Sequence, residues 1–158
     1  MMRFAFLAVL LGLLLGACQS PPPVASPPRQ VLFVCEHGNV KSLMAASYFN
    51  ELAQRRGLPY RAVSRGLAPD SDSVPDFVKL PLTAEGFDVS TFRPTRLTSE
   101  DIAASDRVIG ISTTLPAEMA AAKGEQWNDV PAASTDYARS RESIKAHVEE
   151  LLERLARP

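Results

Sequence analysis

The segment Val31-Leu-Phe-Val-Cys35-Glu-His-Gly-Asn-Val-Lys41-Ser42 constrains this chain more than any other. A short apolar run, of the kind that forms a strand covered on both faces, leads directly into a thiol. Six residues later come a cation and then a hydroxyl, and a helical pattern opens at once. That order builds a cradle. The amides of Glu36, His37, Gly38, Asn39, Val40 and Lys41 can curl around one oxyanion, and a helix opening at Ser42 aims its positive dipole end at the same point. Such a field favours the thiolate of Cys35, the form that attacks phosphorus.

Downstream, strand-like and helix-like patterns alternate. Ser42 to Arg56 is helical, with Ala45, Ala46, Phe49, Leu52 and Ala53 on one stripe and Gly57 and Pro59 as the stop. Tyr60 to Ser64 reads as a second strand, and a helix carrying Phe77, Val78 and Leu80 follows until Pro81 interrupts it. Thr98-Ser-Glu-Asp101 is a capping-box variant opening a brief helix through Ala104. Arg107 to Ile111 is a third strand, Leu115 to Lys123 a helix, and Glu125 to Asn128 a weak fourth strand. The last helix carries Ile144, Val148, Leu151, Leu152 and Leu155 at helical spacing. Strands separated by helices predict an α/β, three-layer doubly wound fold around a short parallel sheet of about four strands. Ligands of such sheets bind beyond the carboxyl ends of the strands, where Cys35 falls.

The N-terminus reads as a processing signal covering residues 1–17. Arg3 supplies a positive charge, Phe4 to Leu15 an apolar core too short to span a bilayer, and Leu15-Gly16-Ala17-Cys18 closes it. That closing tetrad resembles the lipobox of bacterial lipoproteins, which implies cleavage before Cys18 and lipid on its sulfur. With Gln19 next, the resemblance implies an extracytoplasmic, lipid-anchored protein, on the periplasmic face of the outer membrane if the cell is Gram-negative. Five of the ten residues from Gln19 to Pro28 are proline, so residues 18–29 read as an extended tether and 30–158 as one folded domain.

Removing residues 1–17 takes away only Arg3, leaving 16 basic against 18 acidic side chains, a net charge of −2. So balanced a body argues against nucleic acid and against electrostatic adhesion to membranes, leaving attachment to the lipid on Cys18. Of the two cysteines, the lipobox consumes Cys18, and Cys35 stands without an intramolecular partner. The two histidines, His37 and His147, are isolated, so neither a metal nor another cofactor is expected.

Taken together, Cys35 to Ser42, Ser64-Arg-Gly66, Gly86 to Pro94, Ala104 to Ile109 and Trp127-Asn-Asp129-Val-Pro131 resemble the low-molecular-weight protein tyrosine phosphatases and the related thioredoxin-coupled arsenate reductases. The resemblance spans residues 30–156. It implies hydrolysis of a phosphorylated small molecule or protein through a phosphocysteine. Cys35 would be the nucleophile, Gly38 the permissive backbone of the loop, Asn39 its brace, Ser42 a hydroxyl donor to sulfur and Asp129 the general acid, with Asp136 as the alternative acid.

Three departures stand out. Lys41 occupies the family's arginine position and supplies a point charge instead of a bidentate fork. The acid loop reads Asp129-Val-Pro131-Ala132-Ala133, without the family's aromatic wall, which Trp127 or Tyr137 would have to provide. Val40 stands where many relatives carry a second cysteine, so arsenate reduction would need an external thiol reductant. A non-catalytic oxyanion-binding module is the other alternative. Arg65 is weighed as either flanking the phosphate pocket or simply exposed.

Overall fold

A computed structural model of the protein describes residues 26–117 and 123–157. The segment expected to be a leader, Cys18 and most of the stretch expected to be a tether fall outside the described residues, as does most of the helix expected over Leu115 to Lys123. No described helix is long and apolar enough to cross a membrane. The elements run β1 (Arg29–Cys35), α1 (Lys41–Arg55), β2 (Tyr60–Gly66), α2 (Asp76–Ala84), α3 (Ser99–Ala103), β3 (Ser105–Ile111), β4 (Gly124–Trp127) and α4 (Tyr137–Ala156).

Four strands pair in parallel in the order β2-β1-β3-β4. The continuous apolar run of β1 is explained by its two covered faces. Val31 and Phe33 join Ile109 and Ile111 against Met44 and Phe49 of α1 and Ile144, Val148, Leu151 and Leu152 of α4. Leu32 and Val34 face the other way, with Val108 and Leu115, and Ile102 of α3 packs on that side. The result is the three-layer arrangement expected from the alternating pattern. Since β2 lies on one side of β1 and β3 on the other, the connections diverge and leave a crevice beyond the carboxyl ends of β1 and β3.

The capping box forms as read: Asp101 N–H donates to Thr98 Oγ1 at 3.2 Å, and Thr98 N–H donates to Asp101 Oδ2 at 3.1 Å. The reading of α2 needs correction. Pro81 does not end it; the helix runs on to Ala84 because Val78 and Leu82, one turn apart, are fully buried and hold it to the core. Leu80 faces outward, 66% exposed, and Phe77 is 41% exposed.

One close approach ties sheet and loop together. Gly38 has φ +78°, and a β-carbon on it would meet the Gly66 nitrogen at 2.6 Å. Conversely, a β-carbon on Gly66 would meet the carbonyl carbon and oxygen of His37 at 2.7 Å. Cys35 and Gly66 are ladder partners, so both glycines sit at the strand ends where the cradle begins. Backbone cannot yield as a side chain does. Gly66→Ala is therefore expected to lower stability by about 1–3 kcal/mol, as overpacking does, checked by denaturant unfolding.

Candidate active site

Cys35 ends β1 and is almost fully buried, at 6% exposure. Its sulfur receives the Gly38 N–H at 3.3 Å and lies 3.0 Å from the Ser42 hydroxyl. Behind Ser42 stands Ser64 of β2, whose hydroxyl lies 2.8 Å from Ser42 Oγ and 2.9 Å from the Gly38 carbonyl. Each hydroxyl has one proton to give. When Ser64 donates to Ser42, Ser42 is free to donate to sulfur, which then has two donors. When Ser64 donates to the Gly38 carbonyl, Ser42 is left to donate to Ser64 or to sulfur.

Around this sulfur the loop amides are largely uncommitted. Among the described residues, those of Glu36, His37, Asn39 and Val40 donate to no protein acceptor. Asn39 is buried and braces the loop from outside, its Nδ2 donating to the Ser73 carbonyl at 2.9 Å. Val40 is the residue preceding α1, and its carbonyl accepts the Met44 N–H at 2.9 Å.

Lys41 does not reach across the loop for an anion in this state. Its Nζ donates to the Val130 carbonyl at 3.1 Å, and Ser112 Oγ donates to the same oxygen at 3.0 Å. Ser112, the residue after β3, has φ +48°, a left-handed conformation uncommon for a residue with a side chain. Lysine and serine together seat the β4–α4 connection against the cradle. Burial pushes the Lys41 ammonium below its ordinary pKa, opposed by the attraction of Cys35.

A cavity of about 410 Å³ opens over the sulfur. The loop forms its floor through Cys35, Glu36, His37, Asn39, Val40 and Lys41; Asp70, Ser71, Pro75 and Phe77 line it from the β2–α2 side, and Ala132, Ala133 and Ser134 from the β4–α4 connection.

Two of the expected roles meet a different geometry. Asp129 is not among the lining residues. Its carboxylate lies 2.8 Å from His147 Nε2 of α4, and that hydrogen bond holds its pKa below the ordinary carboxylate range. His147 also stacks on Trp127, ring centroids 4.8 Å apart and planes 13° from parallel. Asp136 caps α4 instead, accepting the Arg139 N–H at 2.9 Å. The aromatic wall comes from neither Trp127 nor Tyr137. Trp127 is buried against Phe33, and Phe77 of α2 faces the cavity. Arg65 turns away from the cradle to Asp101, with contacts of 2.9 and 2.8 Å.

Asp70, Phe77 and Ser112 escaped the sequence reading, because nothing near them in the chain marks them as neighbours of Cys35. His147 carried a signal: it lies three residues after Ile144 and four before Leu151, at the edge of the buried stripe.

The model of the low molecular weight phosphotyrosine protein phosphatase family matches residues 30–154. The chain belongs to this family. No protein of curated function matches it. Among solved structures, a thioredoxin-dependent arsenate reductase of Corynebacterium glutamicum is 25% identical with a TM-score of 0.65, the match covering 84% of this chain and 64% of that one. A low molecular weight protein tyrosine phosphatase from T. tengcongensis is 22% identical with a TM-score of 0.65, over 80% and 99% of the two chains. An arginine phosphatase from Geobacillus stearothermophilus is 20% identical with a TM-score of 0.65, over 81% and 93%. The last two likenesses concern the fold alone. Within the family, then, this member joins the thiol cradle to a β4–α4 loop that turns alanine toward the cavity.

The Asp129–His147 pair has a pH signature. A carboxylate whose folded pKa is lowered stabilises the fold fully above its unfolded value of ~3.9, and loses that contribution as pH falls through the folded value. His147→Ala should raise the Asp129 titration midpoint toward the ordinary range, read by NMR titration of its carboxyl carbon.

Proposed function

We propose that this protein hydrolyses phosphomonoesters through a phosphocysteine on Cys35. The observation that carries the reading is the sulfur itself, which has Gly38 N–H and Ser42 Oγ as neighbours at the floor of a cavity lined by Glu36, His37, Asn39 and Val40, whose amides donate to no protein acceptor among the described residues. An incoming phosphoryl group would take those amides as its oxyanion donors, and Lys41, on leaving the Val130 carbonyl, would add charge. Sulfur attacks phosphorus, the ester oxygen departs with the bonding pair, and water then displaces sulfur to release phosphate. Asp129 is not given the leaving-group proton in this reading. A carboxylate held on His147 with a lowered pKa is the opposite of what a general acid requires.

A second reading, oxyanion binding without turnover, is favoured by one feature: Lys41 is bonded to Val130, so the cation need not follow charge building on the phosphoryl group. Arsenate reduction would need an external thiol, since among the described residues Cys35 is a free cysteine without a partner.

Cys35→Ser should abolish hydrolysis of p-nitrophenyl phosphate. Lys41→Arg should raise kcat/KM by at least about tenfold, since an arginine on the transferring group is worth up to several orders of magnitude. A protein without turnover that is nonetheless stabilised thermally by phosphate would establish the binding reading instead.

We also infer that the domain is held at a membrane by lipid on Cys18, from Leu15-Gly16-Ala17-Cys18 and the proline-rich stretch after it. Metabolic labelling with radioactive palmitate should mark the wild-type chain and not Cys18→Ala.

A further inference from the structure

The hydrolase reading leaves one proton without a source. Phosphoryl transfer to Cys35 drives an oxygen off phosphorus, and an aryl or alkyl oxygen of high basicity leaves slowly unless it is protonated as it goes. The β4–α4 connection turns Ala132, Ala133 and Ser134 toward the cavity, and none of these is an acid. Apart from Cys35, the titratable side chains lining the cavity are Glu36, His37, Lys41 and Asp70. Glu36 lies 3.4 Å from the Thr113 hydroxyl, and Lys41 donates to the Val130 carbonyl. His37 and Asp70 face each other, His37 Nδ1 lying 3.2 Å from Asp70 Oδ1.

We propose that His37, oriented by Asp70, is the general acid and base of this site. With Nδ1 turned to the carboxylate, Nε2 is the nitrogen that gives and takes the proton, and it has no protein partner among the described residues. The His37 side chain is about half exposed and that of Asp70 about two-thirds, at 49% and 67%, as suits groups at the mouth where a leaving group exits. Asp70 comes from the connection after β2 and is a positioning residue; the imidazole is the group that meets the reacting atoms.

In the first step the sulfur lone pair forms the P–S bond, the P–O bond breaks, and its electron pair takes the proton from Nε2 of the imidazolium. The imidazole is left neutral with Nδ1–H toward Asp70. In the second step that Nε2 accepts a proton from water as the water oxygen bonds to phosphorus. The P–S bond breaks, and the thiolate and imidazolium are restored. Glu36, Asp70, Lys41 and Cys35 are the charged or titratable groups that share the cavity with the ring.

This inference rests on the hydrolase reading, and leaving-group dependence separates the two. 2,4-Dinitrophenyl phosphate expels a weakly basic oxygen that needs no proton, whereas phenyl phosphate expels a strongly basic one. The rate of phosphocysteine formation is measured for both by rapid quench in the wild type, His37→Asn and Asp70→Asn, with His37→Gln standing in should His37→Asn not fold. The ratio of phenyl to dinitrophenyl rates is expected to fall about 10²-fold without the imidazole and by a smaller factor, about tenfold, in Asp70→Asn, which keeps the imidazole and removes only the carboxylate that orients it. An unchanged ratio in the His37 variants, while wild type forms phosphocysteine, overturns the role of His37. An unchanged ratio in Asp70→Asn alone overturns the role of Asp70. If wild type forms no phosphocysteine even from the dinitrophenyl ester, the hydrolase reading itself falls, and this inference with it.

Discussion

The peptides of His37 and Gly38 lie against the peptide of Gly66 with no space for a β-carbon on either glycine. This contact joins the loop after β1 to the last residue of β2, and the rest of the site is referenced to it. It sets where Ser64, two residues earlier on β2, meets Ser42 and the Gly38 carbonyl. It thereby decides which donors surround the Cys35 sulfur. A strand ladder in register is what delivers Gly66 opposite Cys35, so the parallel sheet and the reactive loop are one mechanical unit. Any change in the pairing of β1 with β2 would move the serine pair away from sulfur.

On the opposite side of the cradle the organising atom is the Val130 carbonyl, which accepts from both Lys41 and Ser112. A lysine can hold a carbonyl and sit beside a thiolate, but its single point of charge cannot fork onto two oxygens as an arginine does. The same loop is held further out by Asp129 on His147, with His147 stacked on Trp127 and Trp127 packed on Phe33 in the core. Asp129 and Val130 are therefore both anchored, and the residues that follow them, Ala132, Ala133 and Ser134, present small side chains to the cavity. The Asp129 carboxylate is thus engaged by α4 and is not among the residues lining the cavity.

The cradle was readable because its chemistry is contiguous. A thiol, a glycine, an asparagine, a cation and a hydroxyl occur within eight residues, and one loop bonded across itself needs little help from distant parts of the chain. The capping box at Thr98 and Asp101 was readable for the same reason. Contacts between residues far apart in the chain decide the rest. Pro81 inside α2 is tolerated since Val78 and Leu82 are buried by other elements, a term that local propensity does not contain. Phe77 reaches the cavity because α2 lies beside the loop, which its own pattern could not reveal.

What the sequence by itself determined is the order and type of the described strands and helices, the parallel sheet they imply, and a cysteine seated at the start of a glycine-containing turn. These depend on periodicity and on groups a few residues apart. Only the tertiary structure decided which side chains complete that turn. Asp129 and His147 are 18 residues apart, and His37 and Asp70 are 33 apart. Whether such groups meet the cavity or each other depends on how separate loops land on the ends of one sheet. A short carboxylate has several partners within reach of its loop, and packing selects among them; that selection turned Asp129 toward a helix and brought Asp70 to the mouth of the site.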